Sequence, residues 1–294
     1  MLYAGIDIGG TAVKMGILDA ESGTLVRTLS RDTGKVRPQE MADAIALLLR
    51  ESGCAVEAAG CVTAGRVNPN TGHVNAGNLQ WWNVPLADIL RDTLRMPVAL
   101  DNDVQGALYA EWKEGVCKGL NDVVYVSLGT GIGGAFLIGG RFYRGVGHEG
   151  GELGHMVTHA DGEPCACGGR GCFERYGSAP ALSRMAGGIS TRDVFRKAAE
   201  GDSAMQDVIR RYTHELCIGL SSINSIFRPE MLVLGGGLSN AGAALLEPVM
   251  AELRTNAPSI PRGAVPNVQL AHFGNDAGLY GAALMARDHC AVNQ

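Results

Sequence analysis

The stretch LYAGIDIGGTAVKMGIL, residues 2–18, determines the fold class that we predict. Two apolar runs, Leu2–Ile8 and Val13–Leu18, are typical of buried strands, and Gly9-Gly10-Thr11 stands between them where a tight turn is needed. The same order of strand, glycine turn and strand returns at residues 123–138. Further strands and helices follow each hairpin, so we predict an α/β protein built from two similar halves.

The remaining apolar periodicity predicts the other elements of both halves. We predict further strands at Thr24–Leu29, Val56–Cys61, Pro97–Leu100, Val123–Leu128, Ala135–Ile138, Arg141–Tyr143, Met231–Leu234 and Val268–Ala271. We predict helices at Pro38–Ser52, Val104–Lys113, Ser190–Glu200, Ala204–Phe227, about Ala241–Thr255 and Ala277–Arg287. No proline- or serine-rich linker separates the halves, and we place their boundary near Lys113–Leu120.

The composition excludes several classes of partner. With a formal net charge of -5, the 294-residue chain has no basic surface suited to nucleic acid or to an anionic membrane. No apolar run approaches the ~20 residues that span a bilayer, and the first residues predict a strand rather than a secretion signal. We therefore expect a cytoplasmic protein whose eight cysteines do not form a disulfide framework.

The glycine turns are candidate phosphate sites, because glycine lets backbone N–H groups approach an anion. Gly129, Gly131 and Gly134 also satisfy the dinucleotide-binding spacing, but a predicted strand follows them where that motif requires a helix. A Walker loop is excluded because the chain has no Gly-Lys-Ser/Thr triplet. One glycine pair alone is more often a plain turn, whereas two such hairpins and the glycines 235–237 together predict a triphosphate site.

An acidic cluster, Leu100-Asp101-Asn102-Asp103, ends one predicted strand and begins a predicted helix. Its side chains would serve as a helix N-cap in the simplest interpretation. The C-terminal ends of strands are also where α/β proteins bind ligands, and a carboxylate there can accept a proton from an alcohol. We therefore predict Asp103 as a general base for phosphoryl transfer, with Asp7 holding Mg²⁺ through water.

His155, Cys165, Cys167 and Cys172 form the most specific pattern in the chain. Three thiols and one imidazole make a complete tetrahedral ligand set for Zn²⁺, and the intervening glycines allow the chain to wrap tightly. Unrelated cytoplasmic thiols are the alternative. Because these four residues would fill all four positions around the ion, we predict a structural zinc that orders the loop carrying Glu152 and Glu174. A zinc-bound His155 would still have its second nitrogen available to a ligand.

Together these residues resemble the ROK family, the group of repressors, open reading frames and kinases that includes bacterial glucokinases. The resemblance extends over nearly the whole chain. The matching motifs are Asp7–Thr11 and Leu128–Gly134 for the phosphates, Gly235–Gly237 for the nucleotide, Asn102-Asp103 for catalysis, Asn78-Leu79 and Gly65 for the sugar, and Glu152–His155 with the cysteines and Glu174 for the signature and zinc knuckle.

The resemblance implies a two-lobed, actin-like (ribonuclease H-like) sugar-kinase fold with a central cleft and a zinc knuckle. The implied lobes are 1–115 and 116–276, and the C-terminal helix, about 277–294, packs back on the first. The implied sugar ligands are Gly65, Asn78, Asn102, Asp103, Glu152, His155 and Glu174. The implied residues for ATP and Mg²⁺ are Asp7, Gly9, Gly10, Thr11, Lys14, Gly129, Thr130, Gly131, Gly133, Gly235, Gly236 and Gly237.

The function that we expect is ATP-dependent phosphorylation of a hexose, with glucose at its 6-hydroxyl as the first choice. N-acetylmannosamine, N-acetylglucosamine, fructose and allose are alternatives, because Thr63-Ala64, Val104-Gln105 and Gly150 depart from the family pattern on the sugar side. A sugar-sensing relative without catalysis is a third hypothesis, disfavoured by the intact Asp103 and the lack of a helix-turn-helix before the first strand. Relatives imply a homodimer. Trp81 and Trp82 are predicted either to pack in a core or interface or to contact the sugar.

Overall fold

The structure is a computed structural model that describes residues 1–256 and 265–292. Its strands are β1 (Leu2–Ile8), β2 (Ala12–Asp19), β3 (Thr24–Asp32), β4 (Ala58–Thr63), β5 (Arg66–Asn68), β6 (His73–Ala76), β7 (Trp81–Val84), β8 (Val98–Asn102), β9 (Val123–Leu128), β10 (Ile132–Ile138), β11 (Arg141–Tyr143), β12 (Met231–Gly235) and β13 (Val268–Leu270). Its helices are α1 (Pro38–Ser52), α2 (Leu86–Leu94), α3 (Asp103–Glu114), α4 (Glu174–Gly177), α5 (Ala179–Met185), α6 (Thr191–Ala199), α7 (Ser203–Phe227), α8 (Ala243–Asn256) and α9 (Ala277–Val292). Within these two ranges, no helix is long and apolar enough to cross a membrane.

The described residues divide into two compact units. Unit 1 holds residues 1–118, 145–149 and 276–292, and unit 2 holds residues 119–144, 150–256 and 265–275. The predicted lobes, 1–115 and 116–276, did not include the return of residues 145–149 to unit 1. Residues 257–264 of the predicted second lobe and 293–294 of the predicted last helix lie outside the described residues.

Unit 1 is built on a five-stranded sheet in the order β3-β2-β1-β4-β8. The first three strands are antiparallel, whereas β4 runs parallel to β1 and β8 runs parallel to β4. The register pairs Ile8 with Thr63 and Thr63 with Asn102. The C-terminal ends of these three strands therefore meet at one edge, which is where open α/β sheets bind ligands.

Helix α9 covers this sheet at very close range. An added Cβ on Gly5 of β1 or on Gly60 of β4 would collide with carbonyl oxygens of α9, and an added Cβ on Gly281 of α9 would collide with the backbone of Gly106 in α3. The missing side chains let the helix backbone touch both the sheet and α3. As a result, the first turn of α9 lies beside the C-terminal end of β1, where an added Cβ on Gly278 would stand 3.9 Å from Asp7 Oδ2.

Unit 2 repeats the strand arrangement of unit 1. Its sheet has the order β11-β10-β9-β12-β13, with β9, β10 and β11 antiparallel and with β12 and β13 added in parallel. Its core lies between this sheet and the helices α5 to α8, and it includes Phe173 and Tyr212, both fully buried. The Tyr212 hydroxyl donates a hydrogen bond to Gly177 O at 2.7 Å, so this buried phenol is satisfied.

The predicted α/β class is confirmed, and the observed elements differ from the predicted ones at their ends. The predicted strand Val56–Cys61 is shifted to Ala58–Thr63, because pairing with β1 and β8 selects that register. The predicted strand Ala135–Ile138 begins earlier, at Ile132, through its pairing with β9. Prediction missed the small antiparallel sheet β5-β6-β7, since strands of three or four residues give almost no periodic signal. It also missed the helix α2, although its buried residues Leu86, Ala87, Leu90 and Leu94 follow helical spacing.

Candidate functional site

Asp103 is the first residue of α3 and lies directly after the end of β8. Asn102 caps the helix: its Oδ1 accepts hydrogen bonds from Val104 N at 2.9 Å and from Gln105 N at 3.2 Å. Burial raises the pKa of the Asp103 carboxyl above its ordinary value, although hydrogen bonds from Val104 N and the Asn102 side chain oppose that rise. A half-buried carboxyl with a raised pKa is the kind of group that accepts protons near neutral pH.

Asn102 also links the helix start to the loop after β4. Its Nδ2 donates a hydrogen bond to Gly65 O at 2.9 Å. Gly65 has φ +99°, and a Cβ there would collide with Asn75 O of β6, so only glycine fits between these backbones. The structure therefore brings Gly65, Asn102 and Asp103 together, as expected for three residues of one sugar site.

Asp7 lies near the end of β1, opposite Lys14 of β2. Burial and the nearby negative charge of Asp103 raise the pKa of Asp7 to about 6, Lys14 opposes that rise, and Asp276 adds to it. Both residues also lie beside Gly278 of α9, where an added Cβ would stand 3.9 Å from Asp7 Oδ2 and 3.7 Å from the backbone oxygen of Asp103. Two half-buried carboxylates at this edge of the sheet can serve as a ligand for a cation and as a proton acceptor.

The first glycine turn connects β1 and β2. Gly9 N donates a hydrogen bond to Ala12 O at 2.9 Å, and Thr11 at the tip is exposed. A Cβ on Gly10 would stand 3.5 Å from Asn78 Nδ2, so the Asn78 amide lies beside the turn. Asn78 and the predicted phosphate turn are thus neighbours within unit 1.

Sequence reasoning missed the contribution of the start of α9. Asp276 precedes this helix and acts on the pKa of Asp7, and an added Cβ on Gly278 would stand 3.7 Å from Asp103 O. The run Asn275–Gly278 stands before an apolar helical pattern, but nothing in its spacing indicates which strand it approaches. Only the packing of α9 on the sheet brings this run next to Asp7 and Asp103.

The second glycine turn connects β9 and β10 in unit 2. Gly129 N donates to Gly131 O at 3.0 Å, and Ala179 N at the start of α5 donates to Gly129 O at 3.0 Å. Gly236, which follows β12 with φ +77°, lies against the backbone of Leu128, so its turn is adjacent to the hairpin. The structure therefore brings the predicted phosphate turn and the glycines 235–237 together.

His155, Cys165, Cys167 and Cys172 form one cluster, whose four candidate ligand atoms all lie within 4.8 Å of one another. The Cys167 and Cys172 sulfurs are 3.6 Å apart, and Cys165 Sγ is 3.8 Å from His155 Nδ1. Tetrahedral zinc with bonds of about 2.1–2.3 Å sets its ligands about 3.5–3.8 Å apart, so these two separations fit the ion.

Glu152 and Glu174 flank this cluster. Glu152 Oε2 is 3.8 Å from His155 Nε2, and Glu174 Oε1 accepts a hydrogen bond from Cys165 Sγ at 3.0 Å. A Cβ on Gly131 would stand only 2.8 Å from Glu174 Oε2, so the Glu174 carboxylate also lies at the tip of the second turn. Glu174 therefore contacts both the cluster and the second turn, whereas His155 Nε2 faces Glu152.

The two tryptophans have different environments. Trp81 is buried and its Nε1 donates a hydrogen bond to Val36 O at 2.9 Å, so it packs in the core of unit 1. Trp82 is 71% exposed, and its ring lies 3.7 Å from the position of a Cβ on Gly77. Of this pair, only Trp82 has a ring free to meet a ligand next to Asn78.

Comparison with known proteins identifies similar chains along almost the full length. A profile described as the ROK family matches residues 3–289. A glucokinase of Streptomyces coelicolor is 32% identical over 312 aligned residues, covering 98% of each chain. An N-acetylmannosamine kinase of Escherichia coli O127:H6 is 28% identical, covering 98% of this chain and 99% of the relative. The crystal structure of a ROK family glucokinase from Streptomyces griseus with glucose and AMPPNP is 32% identical with a TM-score of 0.87, covering 98% of this chain and 100% of that one.

Proposed function

The chain belongs to the ROK family, and we propose that it transfers the γ-phosphoryl group of ATP to the 6-hydroxyl of a hexose, with glucose as the first substrate. The similar glucokinases support a sugar kinase with this α/β fold, and we assign the chain to the actin-like sugar-kinase fold as part of the proposal. The observation that carries it is Asp103, a half-buried carboxyl of raised pKa at the start of α3, next to Asn102, whose side chain donates a hydrogen bond to Gly65 O.

In the proposed reaction, Asp103 accepts the proton of the attacking hydroxyl. The hydroxyl oxygen forms the new bond to the γ-phosphorus, the bond from that phosphorus to the bridging oxygen breaks, and ADP leaves with its electron pair. The backbone N–H groups of the two glycine turns stabilise the negative charge on the transferring group. Mg²⁺, when bound, neutralises charge between the β- and γ-phosphates, and Asp7 is the residue that would hold it through water.

The proposed sugar ligands provide both donors and acceptors. In unit 1 they are Gly65, Asn78, Asn102 and Asp103, and in unit 2 they are Glu152, His155 and Glu174. A site that pairs with each sugar hydroxyl rejects analogues that lack one, because its own buried polar groups then lose their partners. The proposed nucleotide ligands are Lys14 with the residues of the two turns, Gly9, Gly10, Thr11, Gly129, Thr130, Gly131 and Gly133, and the glycines 235–237.

The identity of the sugar is tested by a substrate panel. We expect glucose to give the highest kcat/KM among glucose, fructose, allose, N-acetylglucosamine and N-acetylmannosamine in an assay coupled to ADP release. The similarity to an N-acetylmannosamine kinase makes that sugar the second candidate. Turnover of an acetamido sugar without turnover of glucose would show that glucose is the wrong substrate, while the proposed phosphoryl transfer would stand. Sugar binding in a calorimeter without any phosphoryl transfer would favour the non-catalytic hypothesis.

We propose that the cluster of His155 and the three cysteines binds a structural zinc ion. We expect elemental analysis to find about one zinc per chain, and Cys172→Ser to lose most of it and to lower the melting temperature, because the ion holds the loop together. Cys54→Ser is the matched control, since Cys54 is a half-buried thiol outside the cluster, and it should retain the metal. A metal-free preparation that is fully stable and active would disprove the structural role.

We further propose a cytoplasmic location and a homodimer, which are the expectations stated from the sequence. Light scattering on the purified chain tests the second statement directly.

A further inference from the structure

Residues 145–151, GVGHEGG, lead from unit 1 to the candidate sugar ligand Glu152. Four of these seven residues are glycine. Gly145, Gly147 and Gly151 have positive φ, and so does His148, with φ 61°. Fixing the backbone of a residue costs conformational entropy, and glycine loses more of it than any other residue. Such a segment needs an anchor if Glu152 is to be ordered before the sugar binds.

One ion pair anchors this segment within unit 1. Arg66 Nη1 lies 2.7 Å from Glu149 Oε1, so the side chain of Glu149 is held on β5. Within residues 1–256 and 265–292, no other hydrogen bond or ion pair joins residues 145–149 to the rest of unit 1. Arg66 itself follows Gly65, whose carbonyl accepts the hydrogen bond from Asn102. The pair therefore connects the segment that follows Gly65, next to the start of α3, with the segment that leads to Glu152.

We propose that Arg66 and Glu149 are positioning residues for the sugar site. The inference rests on the proposed role of Glu152 as a sugar ligand, three residues after Glu149. An anchor that orders the segment in advance lowers the entropy cost that sugar binding must offset. Its loss should therefore weaken sugar binding and raise the sugar KM, while kcat, which depends on Asp103 in the bound state, should change little.

The exposure of the pair limits the size of the effect and gives it a recognisable salt dependence. The side chains of Arg66 and Glu149 are 58% and 54% exposed. Ion pairs of this kind contribute little, so we expect a rise of about two- to five-fold in the sugar KM when the pair is broken. Salt screens exposed charges, so the difference between wild type and variant should disappear at high ionic strength.

The experiment compares Glu149→Gln, Arg66→Gln and the exchanged pair Arg66→Glu/Glu149→Arg with the wild type. Sugar KM and kcat are measured at about 0.01 M and about 1 M salt, where the screening lengths are about 30 and 3 Å. We expect both single variants to show the raised KM at low salt only, with kcat within about two-fold, and the exchanged pair to recover most of the loss. Asp207→Asn is the matched control, because it breaks the exposed Arg210–Asp207 pair of the same length, 2.7 Å, on α7 and should leave KM unchanged.

Hydrogen exchange of the backbone amides of residues 148–155 separates this inference from the proposed function. In the Glu149→Gln protein without any ligand, we expect these amides to exchange faster than in the wild type, because the anchor is lost. Unchanged exchange, or a sugar KM that is unchanged at low salt, would overturn the positioning role. A wild type that phosphorylates no sugar would instead overturn the proposed kinase activity, while faster exchange in the variant would still support the anchor.

Discussion

The Asp103→Asn variant is expected to lose at least about 1,000-fold in kcat while it still binds the sugar. Asparagine has nearly the same shape as aspartate and keeps an oxygen that accepts the hydrogen bond from Val104 N. It cannot accept the hydroxyl proton at neutral pH, so the attacking oxygen stays a poor nucleophile. The measurements are turnover in the coupled assay and sugar affinity by calorimetry. Asp88→Asn is the control, since Asp88 is an exposed aspartate in the first turn of another helix, α2.

The pH profile of the wild type gives an independent test of the same group. Because burial raises the pKa of Asp103, the acid limb of kcat/KM should lie above the ordinary range of an aspartate. Activity should therefore rise with pH as Asp103 loses its proton. Near-normal turnover of Asp103→Asn would refute the assignment of the base, and so would an acid limb at about 4.

The Asp7→Asn variant is expected to be more stable than the wild type at neutral pH and much less active. The pKa of Asp7 is raised from 3.8 to about 6 in the folded chain, so the ionised form is disfavoured there. Each pKa unit corresponds to about 1.4 kcal/mol, so removing this charge should add about 2–3 kcal/mol to the free energy of unfolding. We expect the melting temperature at pH 7.5 to rise by about 5–10 °C. Loss of a group that holds the metal through water should lower kcat by about 10–100-fold.

The pH dependence distinguishes this mechanism from a general gain in packing. Between about pH 4 and 6 the folded chain keeps a proton on Asp7 that the unfolded chain has already released, so stability falls as pH rises through this window. The advantage of Asp7→Asn should therefore be complete above about pH 6 and vanish near pH 4. Asp92→Asn, at an exposed position on α2, is the control and should show no such change. An Asp7→Asn protein that is less stable than the wild type at pH 7.5 would contradict the proposal that the ionised Asp7 carboxylate destabilises the folded chain.

The sequence alone was sufficient to predict the features that depend on neighbours along the chain. The hairpins β1–β2 and β9–β10 were predictable because each consists of two apolar runs around glycines, and a tight turn forces such runs to pair. The cluster of His155, Cys165, Cys167 and Cys172 was predictable because its ligands lie close in sequence and form a complete tetrahedral set. The position of Asp103 at a helix start was indicated by the change from an apolar strand to a helical pattern at Asn102.

Only the tertiary structure determined the features that depend on long-range packing. The raised pKa of Asp7 results from its burial and from Asp103, which is 96 positions away, and the contribution of Asp276 requires α9 to return to the sheet. The return of residues 145–149 to unit 1 likewise follows from contacts between distant segments. Burial, charge proximity and the fit of one backbone against another are properties of atoms in space, and the order of residues in a chain does not specify them until the chain has folded.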